Sequence, residues 1–356
     1  MYGKRNAGME GGMKIGIIGL PGAGKTTVFA AITKLTPDSA RKGENRIGTV
    51  AVPDLRLRDL SAIYKPKKII HAQITYLLPS IPPGRQEDIY DQAVFVMIKD
   101  CDAVIHVVRN FGHADLIKPS PLADFSKLDQ ELMLNDLMVV EKRLERLLLD
   151  RKRGKKINED EMSLLSACRG HLERGISLRR RPELAGDPLL KGYALISAKP
   201  MLVLFNNADN DENLPNVNGG ELPEKWMVIR GRLEQDLSQI SEKDAKELAS
   251  EFHITESAMD RVIKQSYALL GLISFFTVLS DEVRAWTIRR GSTALDAAGI
   301  IHTDMKKGFI RVEVINHQEL MEAGSFAEAK KRGSVRLEGK TYTVADGDIL
   351  QVRFNV

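Results

Sequence analysis

Apolar and polar positions along this chain change rhythm three times. From Lys14 to Leu20 it reads KIGIIGL, an unbroken apolar run of strand length. Such a run is expected where both faces of a strand are covered, as in a parallel sheet. A Gly-rich turn, PGAGK, comes next, and then TTVFAAITK with helical spacing. Further strand-like runs are QITYLL at 73–78, AVIHVV at 103–108, MLVLF at 201–205 and WMVIRG at 226–231, with helical patterns between several of them. This alternation predicts an α/β fold with a parallel sheet and helices on both faces.

The stretch 125–181 breaks that alternation. Met133, Leu137, Val140, Leu144 and Leu147 are spaced 4-3-4-3, a heptad seam on one long helix, with charged residues on its other faces. A polar turn, RGKKINEDE, leads to a second helical arm whose partner seam is Leu165, Cys168 and Leu172. The pattern predicts an antiparallel helical hairpin inserted into the α/β domain, closed by the Pro and Gly of RRRPELAGDP at 179–188. From about residue 277 short strand-like pieces dominate: EVRAWTI, FIRVEVI, SVRLEG, KTYTV and ILQVRFNV, with a short helical piece near 293–299. They predict a small, mostly β domain at the C-terminus.

Composition narrows the class. The 356 residues are 43% hydrophobic and 28% charged, enough to bury a large core and too apolar for wholesale disorder. A net charge of +4, from 52 basic and 48 acidic residues, gives no global electrostatic argument, so partners must be read from local clusters. Two cysteines, Cys101 and Cys168, form neither a metal-site spacing nor a disulfide framework, which predicts a reducing, cytoplasmic setting. No apolar run reaches the ~18 residues of a membrane span. The opening MYGKRNAGMEGG lacks an apolar core segment and reads as a flexible tail rather than a signal peptide.

The chemistry concentrates at Gly19-Leu20-Pro21-Gly22-Ala23-Gly24-Lys25-Thr26, a full G-x-x-x-x-G-K-[ST] match between a predicted strand and a predicted helix. Backbone N–H groups of such a loop form a nest for phosphate oxygens, and the helix N-terminus adds about half a positive charge. The expected phosphate-binding residues are Gly19, Gly22, Ala23, Gly24, Lys25, Thr26 and Thr27. Lys25 reaches the β- and γ-phosphates, and the Thr26 hydroxyl is the expected Mg²⁺ ligand. After the strand MLVLF stands Asn206-Asn207-Ala208-Asp209. A carboxylate there can accept both N1–H and N2–H₂ of guanine while Asn206 donates to the ring; adenine lacks that donor pair. The plainer reading is a polar loop, since NNADNDEN is rich in turn residues.

These residues carry a resemblance. GLPGAGKT, PDLRLRDLSAIYKPKK, CDAVIHVVR, VEKRLERL, LLGLISFFT, EVRAWTIRRGSTALDAAGIIHTDMKKGFIRVEV and RLEGKTYTVADGDILQVRFNV together make the chain similar to the Obg-like ATPases of the YchF type. The resemblance covers nearly everything from Met13 onward. It implies a P-loop nucleotide-binding domain over 13–122 and 196–276, a helical coiled-coil insertion over 123–195 and a TGS-like β-grasp domain over 277–356, after a tail at 1–12. It also implies slow hydrolysis of ATP and association with the ribosome; Asp209 brings in GTP as the other nucleotide, Thr26 implies Mg²⁺, and the basic hairpin tip extends the expected partner to structured RNA. We expect a monomer with no membrane association.

The chain also departs from the family pattern. Gly22 stands where the family usually has an Asn thought to help hold potassium, and Asp209 stands where the family has Glu. The D-x-x-G positions align with Leu78, Pro79, Ser80 and Ile81, and the switch position for a Mg²⁺-binding Thr aligns with Lys42, with Thr36 and Ser39 as substitutes. The third base-contact element reads Arg230-Gly231-Arg232, which makes Arg230 the candidate base contact. Phosphate binding needs the nest, Lys25 and Thr26, which are intact. Hydrolysis needs the sensor and metal shell, which are altered, so binding with very weak turnover is expected. The alternative is a nucleotide-binding scaffold that has lost hydrolysis. A small-molecule kinase fits less well, because only RRRPE is a candidate for an Arg-bearing lid.

The remaining candidates have plain readings. Asp100 and Asp102 precede an apolar strand, where a turn favours polar residues. His106 lies mid-strand and reads as a hydrogen-bonded core histidine, and His302 as a turn or interface residue of the small domain rather than a ligand. Neither cysteine has a basic or His partner nearby in sequence, so a thiol nucleophile is not expected. Three basic runs, KPKK at 65–68, RKRGKK at 151–156 and RRR at 179–181, read as exposed. The second sits at the hairpin tip, where it suits contact with a phosphate backbone.

Overall fold

The computed structural model describes residues 13–35, 44–80, 92–112, 118–215, 224–252, 254, 256–279 and 281–355. In chain order the first elements are β1 (Lys14–Ile18), α1 (Lys25–Thr33), β2 (Arg46–Ala51), α2 (Leu55–Tyr64), β3 (Lys68–Ile70), β4 (Gln73–Leu78), α3 (Gln92–Lys99) and β5 (Ala103–Asn110). Then come α4 (Pro121–Lys152), α5 (Glu159–Leu172), α6 (Pro182–Ala185), β6 (Met201–Asn207), β7 (Lys225–Ile229), α7 (Gly231–Gln239), α8 (Glu242–Glu251) and α9 (Ala258–Leu269). The last are β8 (Leu272–Val278), β9 (Glu282–Arg289), α10 (Ala294–Ile301), α11 (Thr303–Lys307), β10 (Phe309–Asn316), α12 (His317–Ala323), α13 (Phe326–Lys331), β11 (Arg336–Glu338) and β12 (Asp348–Phe354).

Two compact units share these elements: residues 13–48 with 75–262, and residues 49–74 with 263–355, as far as these are described. The first is built on a six-stranded sheet in the order β2-β4-β1-β5-β6-β7. β1 runs parallel to β4 and β5, β5 to β6, and β6 to β7. The unbroken apolar runs are explained by this placement: Ile15, Ile17, Ala103, Val104, Ile105, Val203, Leu204 and Phe205 are all buried, since both sheet faces are covered. One face packs Ile18, Val104, Val108, Val203 and Phe205 against Phe95 and Ile98 of α3 and against Phe125, Leu128 and Leu132 at the start of α4.

The hairpin is formed by α4, 32 residues long, and α5. Pro121 opens α4, where its missing N–H costs nothing, and Asn158 caps α5 by accepting from the Asp160 and Glu161 N–H groups. The predicted seam holds. Met133, Val140, Leu144 and Leu147 are buried with Leu165, Cys168 and Leu172, and Leu137 packs at the margin. Each buried leucine contributes roughly 1.5–3 kcal/mol through area removed from water. Arg143 adds a two-pronged ion pair to Glu161 (2.8 and 3.0 Å) and reaches the Tyr193 hydroxyl at 3.1 Å.

The second unit carries a six-stranded mixed sheet in the order β11-β10-β12-β8-β9-β3. β10 is antiparallel to β11 and β12, β8 antiparallel to β9, and β3 parallel to β9. Thus the sheet takes in LISFFTV at 272–278 and the short KII at 68–70 as well as the predicted C-terminal strands. KTYTV does not form a strand; of it, Thr343 alone makes an isolated bridge, to Thr293. α10 covers one face, its Ala294, Ala297 and Ala298 packing on Ile273, Val312 and Leu350.

Candidate functional site: a phosphate-binding loop

The loop between β1 and α1 has the backbone that its glycines predict. Gly24 is the residue before α1 and is left-handed at φ 90°, and a Cβ there would lie 2.3 Å from Asn206 Nδ2. At Gly19 a Cβ would lie 2.3 Å from the Val107 carbonyl oxygen, a backbone atom with no room to yield. Only glycine satisfies both positions. α1 then begins at Lys25 with no side chain capping its first N–H groups, so its N-terminus is open to an anion. Lys25 is half-buried, and its Nζ donates to the Gly19 and Leu20 carbonyls at 3.0 and 2.9 Å, which holds the ammonium across the loop. Thr26 is exposed at the first turn and Thr27 half-buried, while Ala23 is buried beneath the loop.

Asn206, at the end of β6, is 3% exposed and joins three segments. Its Nδ2 donates to the Ala23 carbonyl and its Oδ1 accepts from Gly231 N–H, both at 3.0 Å. Asp209 Oδ1 accepts from Leu233 N–H at 3.2 Å, in the first turn of α7, and Arg230 pairs with Glu212 at 2.9 Å. The structure therefore brings the three predicted base-side residues together, with Asn206 binding the phosphate loop to the turn that holds Arg230. A cleft of about 600 Å³ opens beside Arg230, lined among others by Leu214, Trp226, Val228 and Arg261. The sequence reading missed Asn207. It is 3% exposed, accepts from Asn110 Nδ2 at 2.9 Å and donates to the Asp211 and Asn213 carbonyls at 3.1 and 2.7 Å, shaping the loop. Its signal was a polar pair ending an otherwise apolar strand.

On the metal side the residues present are few. Among the described residues no group of three or more His, Cys, Asp or Glu side chains is placed to hold a metal. Leu78, where the family's Asp would align, is buried, and Ser80 N–H donates to Asn45 Oδ1 at 3.0 Å. Thr36, Ser39, Lys42 and Ile81 lie outside the described residues. Asp102 accepts from the Lys14 N–H at 2.9 Å, a turn role at the start of the sheet.

Two readings of single residues are corrected. His106 is a core residue, but it is not hydrogen-bonded: it is fully buried, stacked on Phe125 at 5.4 Å, and neither ring nitrogen has a partner among the described residues. Burial, reinforced by the Arg179 and Lys25 charges, pushes its pKa down to about 3. Nor is the RRR run exposed throughout. The Arg179 side chain is 6% exposed and ion-paired to Asp129 and Glu224, because its position falls at the hairpin base while Arg181 faces outward. The other runs match their reading. Residues 151–156 are all exposed, and Lys67 and Lys68 are exposed beside Asp281 and Glu282. His302 accepts from the Asp304 N–H at the turn into α11. Both cysteines are free and buried, and burial raises each thiol to about 11, far from thiolate chemistry.

Comparisons with known proteins agree with this architecture. A family model named YchF-GTPase_C, described as a protein of unknown function (DUF933), matches residues 272–355. The "Ribosome-binding ATPase YchF" of Bacillus subtilis is 33% identical over 366 residues, covering 96% of this chain and 99% of that protein. The protein of the same name from Haemophilus influenzae is 34% identical, covering 97% of this chain and 100% of its own. The solved structure of the Schizosaccharomyces pombe YchF GTPase superposes with a TM-score of 0.82 at 28% identity, covering 99% of this chain and 100% of that one. No helix among the described residues is long and apolar enough to cross a membrane.

Proposed function

This chain belongs to the YchF family, and from that premise we propose that it is a purine-nucleotide-binding P-loop protein with slow NTP hydrolysis that acts as a switch on the ribosome. The observation that carries the reading is the open N-terminus of α1. Left-handed Gly24 leads into it, Lys25 is held across the loop, and Asn206 ties the loop to the base side. A triphosphate tail is the ligand that such a nest and helix end select. Mg²⁺ fits as an ion carried with the phosphates: the exposed Thr26 hydroxyl would supply one oxygen, and phosphate and water the rest. When bound, the ion would neutralise phosphate charge.

Slow turnover follows from what surrounds the nest. Buried Leu78 replaces a carboxylate that would order the metal shell, and the described residues offer no acidic cluster in its place. The relatives named above are called ribosome-binding ATPases. For this chain the exposed tip at 151–156, with five basic residues in six, is the proposed contact with ribosomal RNA phosphates.

The purine is addressed by Asp209. One carboxylate oxygen accepts from the α7 turn, which fixes the side chain and leaves acceptor sites for guanine's paired donors; adenine lacks that pair, and ATP and GTP are both admitted with GTP the more dependent on Asp209. Calorimetry with each nucleotide, with and without Mg²⁺, tests the proposal. Micromolar binding of at least one triphosphate, lost in Lys25→Ala, is expected. A folded protein that takes up neither nucleotide would end it.

A further inference from the structure

α4 carries a second apolar stripe, which the described residues leave uncovered. Its inner seam, from Met133 to Leu147, is closed by α5. Leu134, Met138, Leu148 and Leu149 of the same helix are each 44–52% exposed. At about 100° per residue these four fall within one arc of about 100°, turned about 110° from the inner seam. Phe125, Leu128 and Leu132, which hold the base of α4 against the sheet, lie about 140° around the helix from the stripe, so the stripe faces away from the sheet. A lone exposed leucine is ordinary. Four large apolar side chains in one arc, over about four turns, mark a contact surface.

The charges on the stripe decide what covers it. Glu141, Glu145 and Lys152 lie within the arc, and Glu131 and Lys142 at its edge; Glu131 is half-buried and the other four are exposed. Glu141 and Glu145 are like charges one turn apart, an unfavourable pair on a helix that stands alone. A second α4 laid antiparallel on the stripe, with a two-fold axis between positions 141 and 142, sets Glu141 against Lys142 of the other copy and Glu131 against its Lys152. The same register sets Leu134 against Leu149 and Met138 against the aliphatic stem of Glu145. Each contact is made twice, as an isologous interface requires. A parallel pair in register would instead set Glu131, Glu141 and Glu145 against their own counterparts.

We propose that the outer face of α4 is a self-association surface, and that its occupant is a second copy of this chain, docked antiparallel through Leu134, Met138, Leu148 and Leu149. The chain is then a weak dimer rather than the monomer expected from its sequence. One helix pair is a small interface, which places association in the upper micromolar range. The surface includes no residue of the phosphate loop or the base side, so it stands apart from the nucleotide reading.

Sedimentation equilibrium on the full chain tests this. A monomer–dimer equilibrium is expected, and a chain that stays monomeric up to about 1 mM overturns the proposal. Glu141→Lys sets a lysine against Lys142 of the other copy and should weaken the dimer about tenfold. Adding Lys142→Glu to it restores the pairing with the signs exchanged, and should restore the association. A dimer indifferent to the single change, or not recovered by the double one, lies elsewhere and overturns the proposal. Carbodiimide cross-linking of mixed ¹⁴N and ¹⁵N protein needs no variant: Glu141 joined to Lys142 between copies is expected, and a dimer that yields no such link equally overturns it.

Discussion

Replacing Asn206 with Ala tests how the phosphate loop is held. The amide makes two buried hydrogen bonds at 3.0 Å, one to the Ala23 carbonyl and one from the Gly231 N–H. Ala removes both and leaves those two backbone groups unpaired, beneath a residue 3% exposed. Each orphaned neutral group costs about 1–3 kcal/mol, so a loss of about 2–4 kcal/mol is expected after partial relaxation and water entry. Part of the loss should fall on nucleotide affinity, because Ala23 sits inside the nest: freeing its carbonyl lets the loop relax away from the geometry that phosphate needs. A tenfold weaker Kd corresponds to about 1.4 kcal/mol, and at least that is expected. Asn206→Asp is the sharper control. It keeps an acceptor for Gly231 but sets a carboxylate oxygen against the Ala23 carbonyl, so it should bind nucleotide more weakly than Asn206→Ala. Urea unfolding reads stability, and calorimetry at fixed Mg²⁺ reads affinity. A variant with unchanged unfolding midpoint and unchanged Kd would refute the idea that Asn206 supports the loop.

Other outcomes follow from the same structure. His106 has an ordinary pKa of 6.5 and a folded value of about 3, so the unfolded chain takes up a proton that the folded chain refuses. This contribution is fully present above pH 6.5 and is lost as pH falls toward 3. The limiting slope is about 1.4 kcal/mol per pH unit; His106→Phe should flatten that part of the stability–pH curve, and an equal slope in both proteins would refute it. Asp209→Asn keeps an oxygen for Leu233 N–H, so the fold should stand while GTP affinity drops relative to ATP; competition titration checks the ratio, and an unchanged ratio removes Asp209 from base recognition. Leu144→Ala opens a hole in the hairpin seam and should cost about 2–5 kcal/mol in urea unfolding. If hairpin and sheet unfold separately, two transitions should appear, with the earlier one shifted.

Legibility tracked the distance between interacting residues. The phosphate loop was readable because strand, glycine turn, lysine and helix follow one another without a break, and each step answers a local demand: burial on both faces, a left-handed backbone, an open helix end. The hairpin was readable for a related reason, since a 4-3-4-3 repeat states which face of a helix must be covered, and Leu165, Cys168 and Leu172 state the same for its partner. Local periodicity carries no such information about residues that meet from far apart. Asn206 finds Ala23 across 183 positions, and Arg179 finds Asp129 across 50, so in a run of three one arginine is buried, the next reaches the same buried Glu224 from the edge, and Arg181 stays exposed. The KII strand at 68–70 pairs with β9, more than 200 residues later, because a second sheet offered an edge. Periodic burial can be written into a segment by itself; a buried hydrogen bond or ion pair comes into being only when both partners have been brought out of water together.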